Sequence, residues 1–334
     1  MFKERRTEQQ SEKEPEINYH ILFITHRTAK DYAKVGQNLK QCDIYIPELF
    51  AWHQKMAREY QQLSEGKITP GELAWRYETG SNSSAKYFWS ILYQSHKPII
   101  LIDVPSNKDN PQLTDFFDKD AKNDQQFKVI FQKFCEGQLN KAIELAKIFF
   151  VNSTKLYLER EEIMKNSLEK KVKTTIKNNP TLSKKKKINV LLTLGAAHTS
   201  FYHWLKKEHP DNSRQILAES LIVHDAFSEC LLRKIYHKPI SDLLIARGLV
   251  ERLLANYFYQ FTDDTIKNMR LLRKMSECLT LDDIRQISQR FKDKKNGVYF
   301  YRNVDCYQIV INYLKKRKGI HIPTSGKEID KLLN

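Results

Sequence analysis

The chain has 334 residues, of which 41% are hydrophobic and 11% aromatic, and this supply of core-forming side chains excludes a disordered protein. Ten glycines and ten prolines are few for a turn-rich β-sandwich or barrel, so the composition favours helices. Lys and Arg number 56 against 40 Asp and Glu, a net charge of +16. That excess raises nucleic acid, an acidic membrane or another polyanion as a partner, although a solvated lysine-rich surface explains it as well.

The first residues carry no targeting signal that we recognise. Residues 1–16 alternate acidic and basic side chains without an apolar period, which predicts a disordered tail. No apolar stretch is long enough for a secretory signal or a membrane-spanning helix, so we expect a cytoplasmic protein without a transmembrane segment. The five cysteines are widely spaced and form no CxxC pair, which disfavours a zinc knuckle or a disulfide scaffold. They are expected to be reduced thiols in the core: Cys42, Cys135, Cys230, Cys278 and Cys306.

Four short apolar runs of strand length alternate with helical stretches in the first 200 residues. The predicted strands are 19–24, 42–49, 98–105 and 188–194. Helical spacing covers 28–40, 52–93 (with breaks at Gly66, Pro70 and Gly80), 127–150 and 156–177, whereas the polar stretch 106–125 predicts an insertion or flap. Nearly continuous apolar strands separated by helices indicate an α/β fold, with a mainly parallel sheet flanked by helices.

The pattern changes after Pro210. Residues 216–261 and 265–291 have helical spacing, and Thr280 is expected to cap a helix because an acid follows three residues later. Residues 298–301 predict a short strand or an apolar turn. The sequence therefore divides into a disordered tail (1–16), an α/β domain that would carry the catalytic site (17–210) and a mainly helical C-terminal region (211–334).

Polar side chains stand at or near the ends of all four predicted strands. His26, Glu48 and His198 follow three of them, and Asp103 lies near the end of the other. Because ligands bind outside the carboxyl ends of parallel strands, we expect these four side chains to meet at one rim of the sheet. Two imidazoles with one or two carboxylates suit a divalent metal such as Zn²⁺, Mn²⁺, Fe²⁺ or Co²⁺, which would activate water. Taken singly, each is explained as well by a hydrogen-bonded loop histidine or a helix-capping acid.

Four motifs occur in an order that resembles the superfamily of erythromycin esterase-like, ChaN-like and Tiki/TraB proteins. They are FITH at 23–26, IYIPEL at 44–49, REEIM at 160–164 and LGAAH at 194–198. In that superfamily a first strand ends in a G-x-x-H-type motif and a second in an acid. An Arg-acid-x-x-Met helix and a second G-x-x-H follow. The resemblance covers roughly residues 19–208, with Phe23 standing where the first motif usually has glycine and Pro47 restricting the end of the second strand.

The resemblance implies a hydrolase of peptide, ester or lactone bonds, with or without a divalent metal, acting on a small molecule or peptide. Some members bind haem or iron instead. His26 and His198 would be metal ligands or acid–base groups, and Glu48 a ligand or the general base for water. Arg160 would bind an anionic substrate group or stabilise an oxyanion. His203, five residues after His198, is a weaker candidate because a surface histidine explains it better.

The basic residues support an alternative, a non-catalytic member of the same scaffold that binds a polyanion. Residues 155–187 are rich in lysine, and between 290 and 318 basic residues are interleaved with aromatic ones. Basic grooves with aromatic platforms are typical of single-stranded nucleic-acid binding. The aromatic residues concerned are Phe291, Tyr299, Phe300, Tyr301, Tyr307 and Tyr313. No P-loop, G-x-G-x-x-G or G-x-S-x-G motif occurs, so nucleotide and α/β-hydrolase sites lack their markers.

Overall fold

A computed structural model describes residues 14–24, 29–77, 83–216, 224–262, 264–292 and 304–333. Two hydrophobic cores dominate it, one around a parallel sheet and one around the C-terminal helices. Across these ranges, none of the helices combines the length and apolar character that a membrane span requires. The predicted strand or turn at 298–301 lies outside the described residues.

The sheet has four strands, all parallel, in the order β2-β3-β1-β4. The strands are β1 (Glu16–Phe23), β2 (Ile44–Pro47), β3 (Lys187–Leu194) and β4 (Ser213–Ile216). β1 and β3 form the centre and pair along their whole length, from Glu16 opposite Lys187 to Phe23 opposite Leu194. Their side chains are buried almost throughout because helices cover both faces. The predicted α/β fold with a mainly parallel sheet is confirmed.

Two details of the sheet differ from the sequence prediction. Residues 98–105 form no regular strand, because only Ile99 and Pro105 make isolated bridges to the segment around β2. Instead Ser167 and Lys171 donate hydrogen bonds from a helix to the carbonyl groups of this extended segment. The fourth strand is β4, which the sequence analysis missed because it is a short edge strand with polar side chains. The sheet therefore extends to Ile216, six residues beyond the expected boundary at 210.

Helices α1 to α4 pack on one face of the sheet. They are α1 (Ala29–Leu39), α2 (Gln54–Ser64), α3 (Pro70–Arg76) and α4 (Ser83–Ser95). The predicted breaks at Gly66 and Pro70 are confirmed, since Gly66 has a φ of +73° after α2 and Pro70 begins α3. Thr69 and Glu72 form a capping box at the start of α3. Gly80 lies outside the described residues.

The middle of the chain forms a long helical hairpin. It consists of α5 (Thr114–Cys135) and α6 (Leu139–Asn178), followed by the single turn α7 (Pro180–Ser183), and α8 (Thr199–Glu208) comes after β3. The prediction of an insertion or flap at 106–125 is wrong, because α5 begins at Thr114 and buries Phe116. Asp115, Asp118 and Lys119 in the first turns of α5 are charged and exposed, so the sequence shows little apolar periodicity there.

Helix α6 is 40 residues long and takes part in both cores. Its first half packs Ala142, Ala146 and Phe150 into the helical core, and its second half packs Leu168 and Val172 against the sheet. The helices of the C-terminal region complete the first core. They are α9 (Ala226–Ile235), α10 (Asp242–Phe258), α11 (Thr265–Glu277), α12 (Leu281–Lys292), α13 (Val304–Lys318) and α14 (Gly326–Leu333).

The cap of α12 and the state of the cysteines were also predicted from the sequence. Thr280 caps α12 as predicted: its hydroxyl accepts the amide of Asp283, whose carboxylate in turn accepts the Thr280 amide. All five cysteines are free thiols, and four of them are buried. Cys278 is exposed, so the expectation that every cysteine lies in the core is wrong for that residue.

Candidate functional site

The candidate site lies at the middle of α6, where its side chains meet the carboxyl ends of β2 and β3. Glu48 follows β2, and His198 follows β3 after the short turn that Gly195 begins. Arg160 and Glu161 are adjacent on α6, at the point where the helix passes from one core to the other. The site therefore combines loops at the end of parallel strands with a rigid helix, a position typical of ligand sites in α/β folds.

Arg160 holds two carboxylates at once. Its Nε and one terminal nitrogen donate to Asp103 Oδ1 and Oδ2 at 2.8 and 2.5 Å, a bidentate pair. The same terminal nitrogen donates to Glu48 Oε1 at 2.8 Å. Asp103 is buried, and its Oδ1 also accepts the amide of Val104 at 2.7 Å. A bidentate arginine with a backbone-anchored carboxylate is a fixed arrangement, so Arg160 is directed toward Glu48.

Hydrogen bonds hold both the backbone and the carboxylate of Glu48 in place. Its backbone amide donates to Thr193 O at 3.0 Å at the end of β3, and its carboxylate Oε2 accepts the amide of Gly195. A Cβ atom at position 195 would lie 3.3 Å from that Oε2, closer than most Cβ contacts. The absence of a side chain at Gly195 therefore lets its backbone approach the carboxylate directly.

His198 lies behind Glu48 and is buried, with 1% of its surface exposed. Its Nδ1 is 3.2 Å from Glu161 Oε1, and its Nε2 is 3.3 Å from Glu48 Oε1. The Nε2 atom makes no hydrogen bond of good geometry within the described part of the chain. Glu161 is completely buried, and Ser200 Oγ donates to its two carboxylate oxygens at 2.9 and 2.7 Å. The imidazole thus lies between two carboxylates, one buried and one facing outward.

These neighbours set the protonation state of His198. Burial lowers the pKa of the imidazole, but the charge of Glu48 at 3.3 Å and the hydrogen bond to Glu161 outweigh it and raise the pKa to about 9. His198 is therefore a cation at neutral pH. Burial also acts against the charge of Arg160, yet Asp103 and Glu48 raise the pKa of its guanidinium above the ordinary value. The cluster therefore contains two cations, Arg160 and His198, and three carboxylates. Most of its charge is balanced within the cluster.

A cleft of about 460 Å³ opens in front of this cluster. Glu48 and Arg160 reach it, with 15% and 13% of their side chains exposed. The Arg160 guanidinium lies 5.2 Å from the centroid of the Phe50 ring, in cation–π contact. The remaining lining is mostly apolar, contributed by Leu49, Phe116, Leu156 and Tyr157, with Asp120 as one further carboxylate.

The structure brings together four of the residues that the sequence singled out: Glu48, Asp103, Arg160 and His198. His26 lies outside the described residues. His203 is not part of the cluster, because it is exposed on α8, where its ring lies 6.1 Å from that of Tyr236.

Sequence reasoning gave no role to Glu161, Ser200 or Tyr157, although Glu161 belonged to the quoted REEIM motif. One signal for Glu161 was present. It stands three residues before Met164 in the series of buried positions that continues at Leu168 and Val172, so an acid occupies a core position of the helix. Tyr157, whose ring lies 5.4 Å from that of His198, gave no comparable signal.

The described residues do not by themselves make a metal site. In the ranges given above, no group of three or more His, Cys, Asp or Glu side chains is arranged to hold a metal ion. The oxygens of Glu48 are already bonded to Arg160 and to the Gly195 amide, and those of Asp103 to Arg160. A metal on Glu48 would have to displace a cation, which the donor set does not favour.

Comparison with known proteins gives no further assignment. No family model, no curated protein sequence and no solved structure matches this chain. The candidate site therefore has to be interpreted from its own geometry.

Proposed function

We propose that this protein is a hydrolase of ester, lactone or peptide bonds that acts on a small-molecule or peptide substrate, which we expect in the cytoplasm. The proposal rests on the pairing of Glu48 and Arg160 at the wall of an apolar cleft. On the side away from the cleft, the buried cation of His198 contacts the Glu48 carboxylate. A carboxylate beside a guanidinium supplies a proton acceptor and an oxyanion-binding group within one contact distance.

The reaction uses these two groups in sequence. A water molecule in the cleft attacks the carbonyl carbon while Glu48 accepts its proton. The negative charge that develops on the carbonyl oxygen is stabilised by the guanidinium charge of Arg160, whose second terminal nitrogen is not bonded to Asp103 or Glu48. The bond to the leaving group then breaks, and the leaving oxygen or nitrogen takes the proton from Glu48. The products are a carboxylic acid and an alcohol or amine, and Glu48 returns to its starting state.

The buried residues of the cluster have positioning roles. Asp103 fixes the orientation of the Arg160 guanidinium through two hydrogen bonds. Glu161 and Ser200 fix the His198 ring, and His198 holds the Glu48 carboxylate from the side away from the cleft. Interactions of this kind keep reacting groups within a narrow range of geometry, which is the main condition for an efficient site on a rigid scaffold.

The proposal is tested by measuring hydrolysis of a panel of chromogenic esters, lactones and peptides by the wild type and by Glu48→Gln. Glutamine keeps the size and one acceptor oxygen of Glu48 but cannot take a proton, so we expect kcat to fall by about 10²–10⁴-fold. The matched control is Glu162→Gln, since Glu162 lies on α6 outside the cluster, is 62% exposed and pairs with Lys165. Equal rates in the wild type and Glu48→Gln, or no hydrolysis of any substrate class, would reject the proposal.

Metal or haem binding remains a prediction of the sequence alone. A divalent ion held by His26, Glu48 and His198 would supply an activated water, but it requires Glu48 to release Arg160. Elemental analysis of the purified protein beside His198→Ala decides this. Stoichiometric metal that is lost in the variant would establish the metal site and replace the metal-independent route described above. An absorbance scan of the same samples tests for haem.

The alternative of polyanion binding receives less support from the described residues. Four consecutive lysines stand at 184–187 in the lysine-rich stretch, and two of them are paired: Lys185 is 2.5 Å from Asp43 and Lys187 is 3.3 Å from Glu16. Three of the aromatic residues proposed as stacking platforms are in the core and cannot contact bases: Phe291, Tyr307 and Tyr313. The other three, Tyr299, Phe300 and Tyr301, lie outside the described residues. A steep loss of binding with rising salt would still be the signature of such a partner.

A further inference from the structure

A second cavity, of about 260 Å³, adjoins the cleft of the candidate site. The two cavities share Asp120, Leu156 and Tyr157 as lining residues, so they are adjacent. We call the two together the α5–α6 groove. Its first end is the Glu48–Arg160 pair, and the second cavity forms the other end.

The direction of the groove follows from the packing of its two floor helices. α5 and α6 run antiparallel, since Lys119 contacts Glu159 while Asn123 donates to Ser153 Oγ at 2.8 Å. The first cavity is lined by Arg160 on α6 and the second by Ser153 and Phe149 on the same helix. At 1.5 Å per residue these positions lie about 10 to 16 Å from Arg160 along the helix axis. The groove is therefore elongated and suits an extended ligand.

The lining of the second cavity is mostly aromatic and aliphatic. Phe127 comes from α5, Phe149 from α6, and Phe227 and Leu231 from α9. Between the two ends lies Asp120, where burial first and the neighbouring Asp124 second raise the pKa of the carboxyl group. Leu156 and Tyr157 line the same middle part of the groove, so an apolar ligand segment fits there.

Two polar atoms at the far end of the groove have no partner in the described residues. They are Nε of Arg252, on α10, and Oδ1 of Asn123. The Arg252 side chain has one distant ion pair, with a terminal nitrogen 3.9 Å from Asp225 Oδ2, and its guanidinium lies 6.0 Å from the Phe227 ring. Nε itself is buried, but the Arg252 side chain is 40% exposed, so the rest of its guanidinium is accessible. A guanidinium beside apolar walls is the recognition element expected for a carboxylate at the end of an apolar chain.

We propose that the α5–α6 groove binds the acyl part of the substrate, an extended apolar chain whose far end carries a carboxylate that Arg252 recognises. This inference rests on the proposed hydrolase function, because it places the scissile bond beside Glu48 and Arg160. It assigns the substrate class as half-esters of elongated, apolar dicarboxylic acids.

The binding test uses ω-phenylhexanoate, which has the length and apolar character of the groove but no bond to hydrolyse, and its neutral analogue ω-phenylhexanol. Calorimetric titration should show that Arg252→Gln weakens phenylhexanoate binding about tenfold, the value of one charge-assisted hydrogen bond, and phenylhexanol binding less than about twofold. Arg285→Gln is the matched control, since Arg285 is exposed and pairs with Asp282. It should bind both probes like the wild type.

A second variant tests the cavity itself. Ser228→Phe places a ring in the second cavity from α9 and should abolish binding of both probes, provided that its melting temperature shows a folded protein. Failure of phenylhexanoate to bind the wild type would overturn the inference. Equal binding by the wild type and Arg252→Gln would also overturn it, because the carboxylate would then not be at Arg252.

The two proposals fail in different ways. Phenylhexanoate binding that depends on Arg252, together with no hydrolysis of any ester, would reject the hydrolase and leave only the groove as a ligand site. Ester hydrolysis that depends on Glu48, together with no effect of Arg252→Gln on either probe, would keep the hydrolase and reject the acyl groove. Hydrolysis of suberate half-esters faster than of the corresponding uncharged octanoate esters, with the preference lost in Arg252→Gln, would support both.

Discussion

At the scale of single residues, the charge of His198 depends on its neighbours rather than on solvent. Burial acts against its proton, and Glu48 provides the largest opposing effect. We therefore expect Glu48→Gln to lower the pKa of His198 from about 9 by about one to three pH units, because one of the two adjacent charges is removed. Histidine-selective ¹³C NMR titration measures this value, with the signal assigned from its absence in His198→Gln.

The control for this titration is Glu162→Gln. Glu162 is one residue from Glu161 but points into solvent, so its neutralisation should leave the His198 signal unchanged. A pKa of about 9 that persists in Glu48→Gln would contradict the arrangement, because it would mean that Glu161 alone keeps the imidazole protonated.

The residues of the site differ in how far the sequence could predict them. Glu48, Asp103 and His198 stand at strand ends or just after them, so the rule for parallel sheets brings them together without knowledge of the helices. Arg160 was placed at the site by its motif, not by the sheet rule. Glu161 was not placed, although its spacing from Met164, Leu168 and Val172 marks a buried position of the helix, because a buried acid does not by itself show which strand ends it contacts.

At the scale of elements, the contact between α9 and α10 depends on one glycine. A Cβ atom at Gly248 would lie 2.9 Å from Cε2 of Phe227 and 3.2 Å from its backbone nitrogen. Phe227 is surrounded by other rings and cannot move away, so Gly248→Ala should destabilise the protein by about 1–3 kcal/mol. Urea denaturation measures the change in the free energy of unfolding.

Gly36→Ala is the matched change in another helix. The nearest atom to a Cβ at Gly36 is 3.8 Å away, an ordinary contact, and alanine is the better helix former. We expect this variant to be more stable than the wild type by about 0.5–1 kcal/mol. Destabilisation of both variants to the same extent would show that the α9–α10 contact is not specially tight.

Glu251 connects three helices of the C-terminal core. It is buried on α10, its Oε2 accepts the Ala226 amide at the start of α9, and its Oε1 accepts Ser276 Oγ from α11, each at 2.5 Å. Burial raises the pKa of its carboxyl group from 4.5 to about 7, although both hydrogen bonds act in the opposite direction. Between these pH values the folded protein retains a proton that the unfolded chain has lost, so folding becomes less favourable as pH rises.

Glu251→Gln removes this titration. The shift from 4.5 to about 7 corresponds to at most about 3 kcal/mol, so between pH 5 and pH 8 the variant should gain about 1–3 kcal/mol of stability relative to the wild type. Urea denaturation of both proteins at the two pH values gives this difference, in which groups common to both cancel. Glu144→Gln, at a position that is 64% exposed, should show no such gain. A constant difference between pH 5 and pH 8 would contradict the raised pKa.

The helices and strands were predictable where their burial leaves a clear apolar pattern in the sequence. β1, β2 and β3 are apolar along their length because helices cover both faces of the sheet, and the sequence shows them directly. β4 is short and carries Arg214 and Gln215, so it lacks that pattern. The part of α5 before Phe127 was missed because Phe116 is its one fully buried side chain. Tertiary contacts rather than local periodicity define these two elements.

At the scale of the whole molecule, α6 joins two cores that would otherwise meet only through loops and smaller contacts. The candidate site stands where the helix leaves one core and enters the other, and the α5–α6 groove runs from that point into the helical core. The helical C-terminal region thus contributes α9 and α10 to the lining of the groove, which its own sequence does not indicate. A rigid helix common to both cores also fixes the distance between Arg160 and the residues of the far end.

The net charge of +16 also has a consequence for the entire chain. Unpaired like charges repel each other more in the compact state than in the unfolded chain, and the ion pairs on the surface offset this only slightly. Added salt screens the repulsion, since the Debye length falls from about 20 Å to less than about 6 Å between about 20 and 300 mM NaCl. We therefore expect the melting temperature at pH 7 to rise by about 1–2 °C over this range, corresponding to about 1 kcal/mol for a chain of 334 residues.

Differential scanning calorimetry at several NaCl concentrations tests this expectation, and the pH provides its control. Near the isoelectric point of about 9.4 the net charge vanishes, and the rise with salt should vanish with it. A melting temperature at pH 7 that stays constant or falls with NaCl would mean that the basic residues are already neutralised in the fold. In that case the excess charge would not be available for a polyanionic partner either, because such binding requires cations whose counterions are released on contact.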